Sequence, residues 1–362
     1  MPFREGSMID LKGKRVLLIG GAGFIGHHMA IAMKSRGINV EIMDSLEVNN
    51  LCAFLNSSVE IPGRERYVKM LNERLEILSR AGIPVHVQDA RDYHKTSMIV
   101  DRIKPHAIVH LAAISHAGKS NKDPYSTFDH SLRTLENALD AAKSTGAHFI
   151  YFSSSMVYGN FPDGFASEDT PCNPIGIYGA LKFAGEKMVI AYNQVFDLPY
   201  TIVRPSALYG ERCVSRRVGQ IFIENALDGL EITVNGKGTD ALDFTYVGDL
   251  VGGVINVLEN EKSRGETFNL TFGRSRSLTD MIGILSENFR DVKVNYLPKD
   301  VLMPDRGTLD ISKASRLIGY SPKNPLEKGY LRYINWYKES VATPDWSSGG
   351  QIVKHAFVPI GT

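Results

Sequence analysis

Short apolar runs rich in β-branched residues recur through the first part of the chain: Arg15 to Ile19, Asn39 to Met43, Val85 to Gln88, Ala107 to Leu111, His148 to Phe152 and Tyr200 to Val203. Runs that are apolar without alternation read as strands covered on both faces, as in a parallel sheet. The segments between them, Thr127 to Lys143 and Ala180 to Val195 among them, are long enough for crossover helices. Strand and helix in alternation predict an α/β fold with a doubly wound parallel sheet. After Arg204-Pro205 the rhythm breaks into Arg-, Gly- and Asp-rich loops, with a short strand at Glu231 to Val234, the segment Asp243 to Leu250, and helices returning near Leu278 and Ile311. This predicts a first domain over 12–205 with a return segment at about 240–260. A smaller, discontinuous C-terminal α/β lobe follows over 206–340, and a loosely held tail over 341–362.

Composition narrows the class. With 362 residues and a hydrophobic share of 43%, the chain can bury a core large enough for two lobes. Its 41 Lys+Arg against 40 Asp+Glu leave a formal charge of +1 and no long run of one sign, which argues against nucleic-acid and anionic-membrane partners. Any phosphate must be held locally. Cys52, Cys172 and Cys213 are far apart and have neither zinc nor CxxC spacing, so a reducing compartment without disulfides is expected. No signal-peptide core or membrane span is read, and the cytoplasm is the expected location. The leader Met1 to Ser7 is left out of the fold reading.

Chemistry begins where the first strand ends. Gly20-Gly21-Ala22-Gly23-Phe24-Ile25-Gly26 opens a predicted helix. A dinucleotide pyrophosphate needs backbone N–H donors at a helix N-terminus with no side chain in the way, and Gly20, Gly23 and Gly26 supply the turn, the close approach and the helix–strand packing. Asp44 ends the second strand, where a carboxylate can accept from the adenosine ribose hydroxyls and would repel a 2′-phosphate, so NAD is preferred to NADP. The plainer alternative is a tight turn with a capping aspartate. His27 and His28 read as packing residues, not metal ligands, and no metal site is expected.

Tyr178 and Lys182 stand four residues apart at the start of a predicted helix and so share a face. A phenol with a reference pKa of ~10 is a poor base at neutral pH, and a neighbouring ammonium would favour its ionised form. Upstream, Phe149 to Phe152 runs into Ser153-Ser154-Ser155, placing hydroxyls at the carboxyl edge of the sheet, where ligands of open α/β sheets bind. Taken singly, these are a surface pair and an N-cap; taken in order at strand ends, they form a catalytic constellation.

In these motifs the chain resembles the extended short-chain dehydrogenases/reductases, the NAD-dependent nucleotide-sugar epimerase/dehydratase family, over roughly 14–338. The markers are the glycine loop, Asp89-Ala90, His110-Leu111-Ala112-Ala113, Ser153 to Gly159, Tyr178 with Lys182, Arg204-Pro205 with Tyr209-Gly210, and Asp243-Phe244-Thr245-Tyr246-Val247. The resemblance implies a Rossmann domain and a Ser154, Tyr178, Lys182 triad. It also implies an NAD site formed by Gly20, Gly23, Phe24, Ile25, Gly26, Asp44, Asp89, Ala90, Leu111, Ala112, Ala113, Ser115, Tyr178, Lys182 and Pro205. Asp89 and His110 could instead only satisfy backbone groups.

Reversible oxidation of a sugar hydroxyl is the expected reaction. Relatives that eliminate water usually carry an acidic pair after the strand-end serine, where this chain has Ser155 and Met156. A 4-epimerase of a nucleotide sugar, passing through a 4-keto sugar, is therefore the first expectation. A dehydrogenase/reductase at the same carbon, a dehydratase and a non-catalytic NAD-binding regulator are the alternatives. Two usual phosphate contacts depart, to Ala207 and Leu242. Ser155, His116, Arg212, Arg217 and Arg306 are the expected substrate contacts, the arginines through charge-assisted bonds. A homodimer through the helix carrying Tyr178 is expected from the same resemblance.

Overall fold

The structure is a computed structural model that describes residues 8–55, 61–115, 117–299 and 302–340. The expected tail at 341–362 and the expected substrate contact His116 lie outside the described residues.

Six strands, β1 (Arg15–Ile19), β2 (Asn39–Asp44), β3 (Val85–Val87), β4 (Ala107–His110), β5 (His148–Phe152) and β6 (Tyr200–Arg204), are joined by a seventh, β7 (Glu266–Asn269), in one sheet of order β7-β6-β5-β4-β1-β2-β3. All neighbours are parallel. Alternate residues of the strands feed two cores: Val16, Leu18, Val109 and Ile150 on one face, Leu17, Ile19, Ile108 and Phe149 on the other. This explains runs that are apolar without alternation, since both faces are covered.

Helices α1 (Phe24–Ser35), α2 (Arg64–Arg80), α3 (Tyr93–Ile103), α4 (Thr134–Ala142) and α5 (Gly176–Phe196) make the crossovers. The strand that returns to the sheet, β7, lies past the segment at about 240–260 expected to do so; that segment is mostly helix α6 (Val247–Leu258), which packs on α1. The smaller lobe is held by two-stranded pairings. Ile232–Asn235 runs parallel to Val294–Leu297, and Ala241–Leu242 antiparallel to Arg276–Ser277.

Helix α5 lies unusually close to the sheet. Its buried stripe is Gly179, Lys182, Gly185, Glu186 and Val189, mostly small or charged rather than apolar. A Cβ at Gly185 would sit 2.1 Å from the Tyr151 hydroxyl, and one at Gly179 would sit 2.7 Å from the Met156 carbonyl oxygen. Close approach lets Glu186 reach Arg204 of β6 in a two-pronged pair, with Nε–Oε1 2.8 Å and Nη2–Oε2 2.7 Å. The Ser153 hydroxyl also donates to Glu186 Oε1, and Arg204 Nη1 donates to the Tyr158 hydroxyl at 2.9 Å.

Removing one partner of a buried pair strands the other's charge. Glu186→Ala is therefore expected to lower stability by about 3–5 kcal/mol, read from the urea midpoint. A loss below about 1 kcal/mol would show that the pair does not anchor α5.

Candidate active site

The turn from β1 to α1 is built from glycine for three separate reasons. Gly20 is left-handed (φ +78°), and its Cβ would meet the Ala112 backbone N at 2.7 Å. A Cβ on Gly26 would sit 2.4 Å from the Gly21 carbonyl oxygen, so no side chain fits between helix and turn. Gly23 caps α1 with extended backbone, and its Cβ would meet only the Gly20 carbonyl oxygen, at 3.2 Å.

A cavity of about 900 Å³, counting its open mouth, lies over this turn. Gly20, Gly23, Phe24, Ile25, Gly26, Asp44, Asp89, Ala90, Leu111, Ala112, Ala113 and Ser115 all line it. Asp44 sits in the wall with Oδ2 accepting from Ala22 N (3.0 Å) and Oδ1 from Leu46 N (2.8 Å). Burial raises its pKa against those two bonds. Asp89 is paired through both oxygens with Arg91, whose guanidinium holds it below the usual carboxylate range despite partial burial. Bare backbone at a helix N-terminus, with Asp44 at the end of β2 and Arg74 and Arg217 in the wall, fits a dinucleotide.

Tyr178, Lys182 and Pro205 stand away from that lining. Lys182, buried on α5, donates to the Phe152 carbonyl oxygen at 2.6 Å and lies over the Tyr151 ring. Burial pulls its pKa down to about 8, against the pull of Glu186. The phenol of Tyr178 is raised above its ordinary pKa by burial, opposed by Arg217, by the Ser154 hydroxyl and by Arg306. This differs from the expectation that Lys182 provides the charge favouring the phenolate: the cations that act on the phenol are two arginines from the loops of the smaller lobe. Ser154 also accepts from Met156 N at 3.2 Å, which fixes the turn after β5. Pro205 and Ser155 are tied together, Ser155 N donating to the Pro205 carbonyl at 2.9 Å. His110 is buried and neutral behind Lys182, stacked on Phe149, and its ring nitrogens make no hydrogen bond among the described residues.

Arg217 and Arg306 come together around Tyr178, each with a buried Nε that lacks a partner among the described residues. Arg217 lines the large cavity as well. Arg212 is a correction. Its Nε donates to His27 Nε2 (3.0 Å) and its Nη1 pairs with Glu73 (3.0 Å), so its charge is committed to the scaffold. His28 adds a bond to the Glu211 carbonyl at 3.0 Å, and the two histidines tie α1 to this loop. Arg74, His130 and Thr134 also line the cavity and were missed from the sequence. For Arg74 a signal exists: it occupies the buried stripe of α2 with Tyr67, Met70, Leu71, Leu75 and Leu78, where an unpaired charge is out of place.

Residues 16–271 match the model of the NAD dependent epimerase/dehydratase family, and the chain belongs to that family. It is 28% identical to UDP-glucuronate 4-epimerase 2 of Arabidopsis thaliana over 348 residues, covering 90% of this chain and 76% of that one. A putative UDP-glucose 4-epimerase of Methanocaldococcus jannaschii is 28% identical over 335 residues, with 91% and 100% covered. Among solved structures, UDP-glucuronic acid 4-epimerase from Bacillus cereus, in complex with UDP-glucuronic acid and NAD, superposes with a TM-score of 0.77 at 28% identity, over 90% of this chain and 99% of that one. UDP-glucose 4-epimerase from Thermotoga maritima, with UDP-glucose, gives 0.77 at 26% identity over 90% and 98%.

The glycine contacts separate fold from ligand. Gly23→Ala meets a single backbone oxygen, that of Gly20 at 3.2 Å, so its melting temperature should stay within about 3 °C of wild type while NAD affinity falls at least about tenfold. Gly26→Ala must displace backbone and should cost several degrees. Equal loss of stability in both variants would contradict this division.

Proposed function

We propose that the protein is an NAD-dependent 4-epimerase of a nucleotide sugar, a UDP-sugar by the names of its relatives. The observation that carries the reading is that Arg217, in the wall of a cavity that fits a dinucleotide, acts with Arg306 and Ser154 on Tyr178, each arginine keeping an Nε without a partner among the described residues. NAD, bound over the glycine turn, would supply a hydride acceptor that can give the hydride back.

The protein's own groups do the rest. The Tyr178 oxygen takes the proton of the sugar 4-hydroxyl and returns it, while Ser154 hydrogen-bonds the same oxygen. Arg217 and Arg306 favour the phenolate and face the anionic part of the substrate. Lys182, held by the Phe152 carbonyl, places an ammonium below the phenol-bearing turn of α5. The keto sugar turns over in the pocket and is reduced on its other face. With Ser155 and Met156 after Ser154, no carboxylate is poised there for dehydration. Second copies of the chain are expected to pair through α5 and the short helix Pro124–Phe128 beside it, where Tyr125, Phe128, Ile177, Val195 and Phe196 leave apolar surface exposed.

Purified protein given UDP-glucuronic acid or UDP-glucose should convert one of them to its 4-epimer without added oxidant, and Tyr178→Phe should lower turnover by about 10²–10⁴-fold. Full turnover by that variant overturns the assignment, and stoichiometric NADH release would favour a dehydrogenase. If the ammonium of Lys182 is needed, kcat/KM falls as pH rises through about 8, where that group loses its proton; a profile flat to pH 10 argues against its role. In solution the mass should be twice that of the chain, and a monomer contradicts the proposed pairing.

A further inference from the structure

Arg74 is the least explained charge in the molecule. It lies on α2, in the long segment between β2 and β3, and is 1% exposed. Its Nε donates to the Arg212 carbonyl at 3.0 Å and its Nη2 donates to the same oxygen, but its Nη1 has no partner among the described residues. No ion pair within 4 Å is formed by this guanidinium among the described residues, although its side chain reaches the wall of the cavity over the glycine turn. Asp44 is in the same wall, yet its two oxygens are taken up by the N–H groups of Ala22 and Leu46.

A buried cation with a free N–H costs several kcal/mol unless an anion completes it. Asp44 acts on it through space but makes no hydrogen bond to it, so the free N–H is left for an anion at the cavity wall that Arg74 helps to line. From the juxtaposition of Arg74 with Gly20, Gly23, Phe24 and Ile25 in one cavity wall, we infer that Arg74 is a phosphate ligand for the pyrophosphate of the dinucleotide. This rests on the dinucleotide reading above and goes further by naming a side chain that binds the charged bridge. Backbone N–H groups of the turn give the pyrophosphate partial charges only; Arg74 adds a full one where water is excluded. Burial lowers its pKa only to about 10, so it is a cation at neutral pH. A 2′-phosphate is the other phosphate such a cation could take, but Asp44 in the same wall would repel it.

The same geometry has a second use. Arg74 holds the carbonyl of Arg212, a residue with φ +59° in a stretch where Ala207 (φ +38°) and Arg216 (φ +52°) are also left-handed. Strained backbone of this kind persists where surrounding contacts fix it. Arg74 thereby links the phosphate to the loop that carries Arg217 toward Tyr178.

Calorimetric titration of wild type, Arg74→Met and Arg74→Lys with adenosine, ADP, NAD and NADP tests the assignment. Loss of one charge-assisted contact in Arg74→Met should weaken ADP and NAD by about 10- to 100-fold and leave adenosine within about threefold. Arg74→Lys, with a cation but no fork, should fall between. If Arg74→Met does not fold, judged from its melting curve, the Lys variant carries the comparison. Unchanged ADP affinity, equal loss of adenosine and ADP, or a loss confined to NADP each overturns the pyrophosphate assignment. Wild type that binds neither ADP nor NAD overturns the dinucleotide reading with it, whereas wild type that binds NAD beside an unaffected Arg74→Met overturns this inference alone.

Discussion

The buried pair between Glu186 and Arg204 is the contact on which the rest of the site depends. It joins helix α5 to strand β6 across the face of the sheet, and it is reachable only because glycines at 179 and 185 let the helix sit against Tyr151 and the turn after β5. Two charges removed from water do not stabilise a fold by themselves, since desolvation offsets most of their attraction. What they provide is position. With Glu186 fixed, Lys182 one turn earlier meets the Phe152 carbonyl, and Tyr178 one turn before that meets Ser154. The register of one helix on one sheet thus sets three side chains of the site.

A second layer of charge comes from the loops. Arg217 and Arg306 approach Tyr178 from the smaller lobe, while Arg74 approaches the glycine turn from α2. All three have a buried nitrogen without a partner among the described residues. A buried N–H without a partner is costly, and a protein with a formal charge of +1 has no general excess of cations to spread. Their clustering in one region is consistent with a ligand that is itself strongly anionic, as a dinucleotide and a nucleotide sugar both are. Arg91, by contrast, is spent on Asp89, and Arg212 on Glu73.

Much of this was legible in the sequence. Strands covered on both faces announce themselves by unbroken apolar runs, and β1, β2, β4 and β5 fall where those runs lie. The glycine turn was legible because each glycine answers a steric demand that spacing alone displays. Arg74 is legible only as a break in the apolar stripe of α2, a charge at a core position among Tyr67, Met70, Leu71 and Leu75. Arg212 misled for the opposite reason. Arginines close together in a loop look alike in sequence, and only the packing of His27 and Glu73 shows which is structural. The source of the charge acting on Tyr178 was illegible too, because Arg306 lies more than a hundred residues away along the chain.

The central claim of the proposed function is that a hydride leaves the fourth carbon of the sugar and returns to the same carbon before the sugar is released. Conversion of a UDP-sugar deuterated at that carbon, followed by mass spectrometry of the 4-epimer, tests it most directly. The account predicts product that retains the deuterium in full, in ordinary water and without added cofactor. Product that has exchanged the label for solvent hydrogen would contradict it.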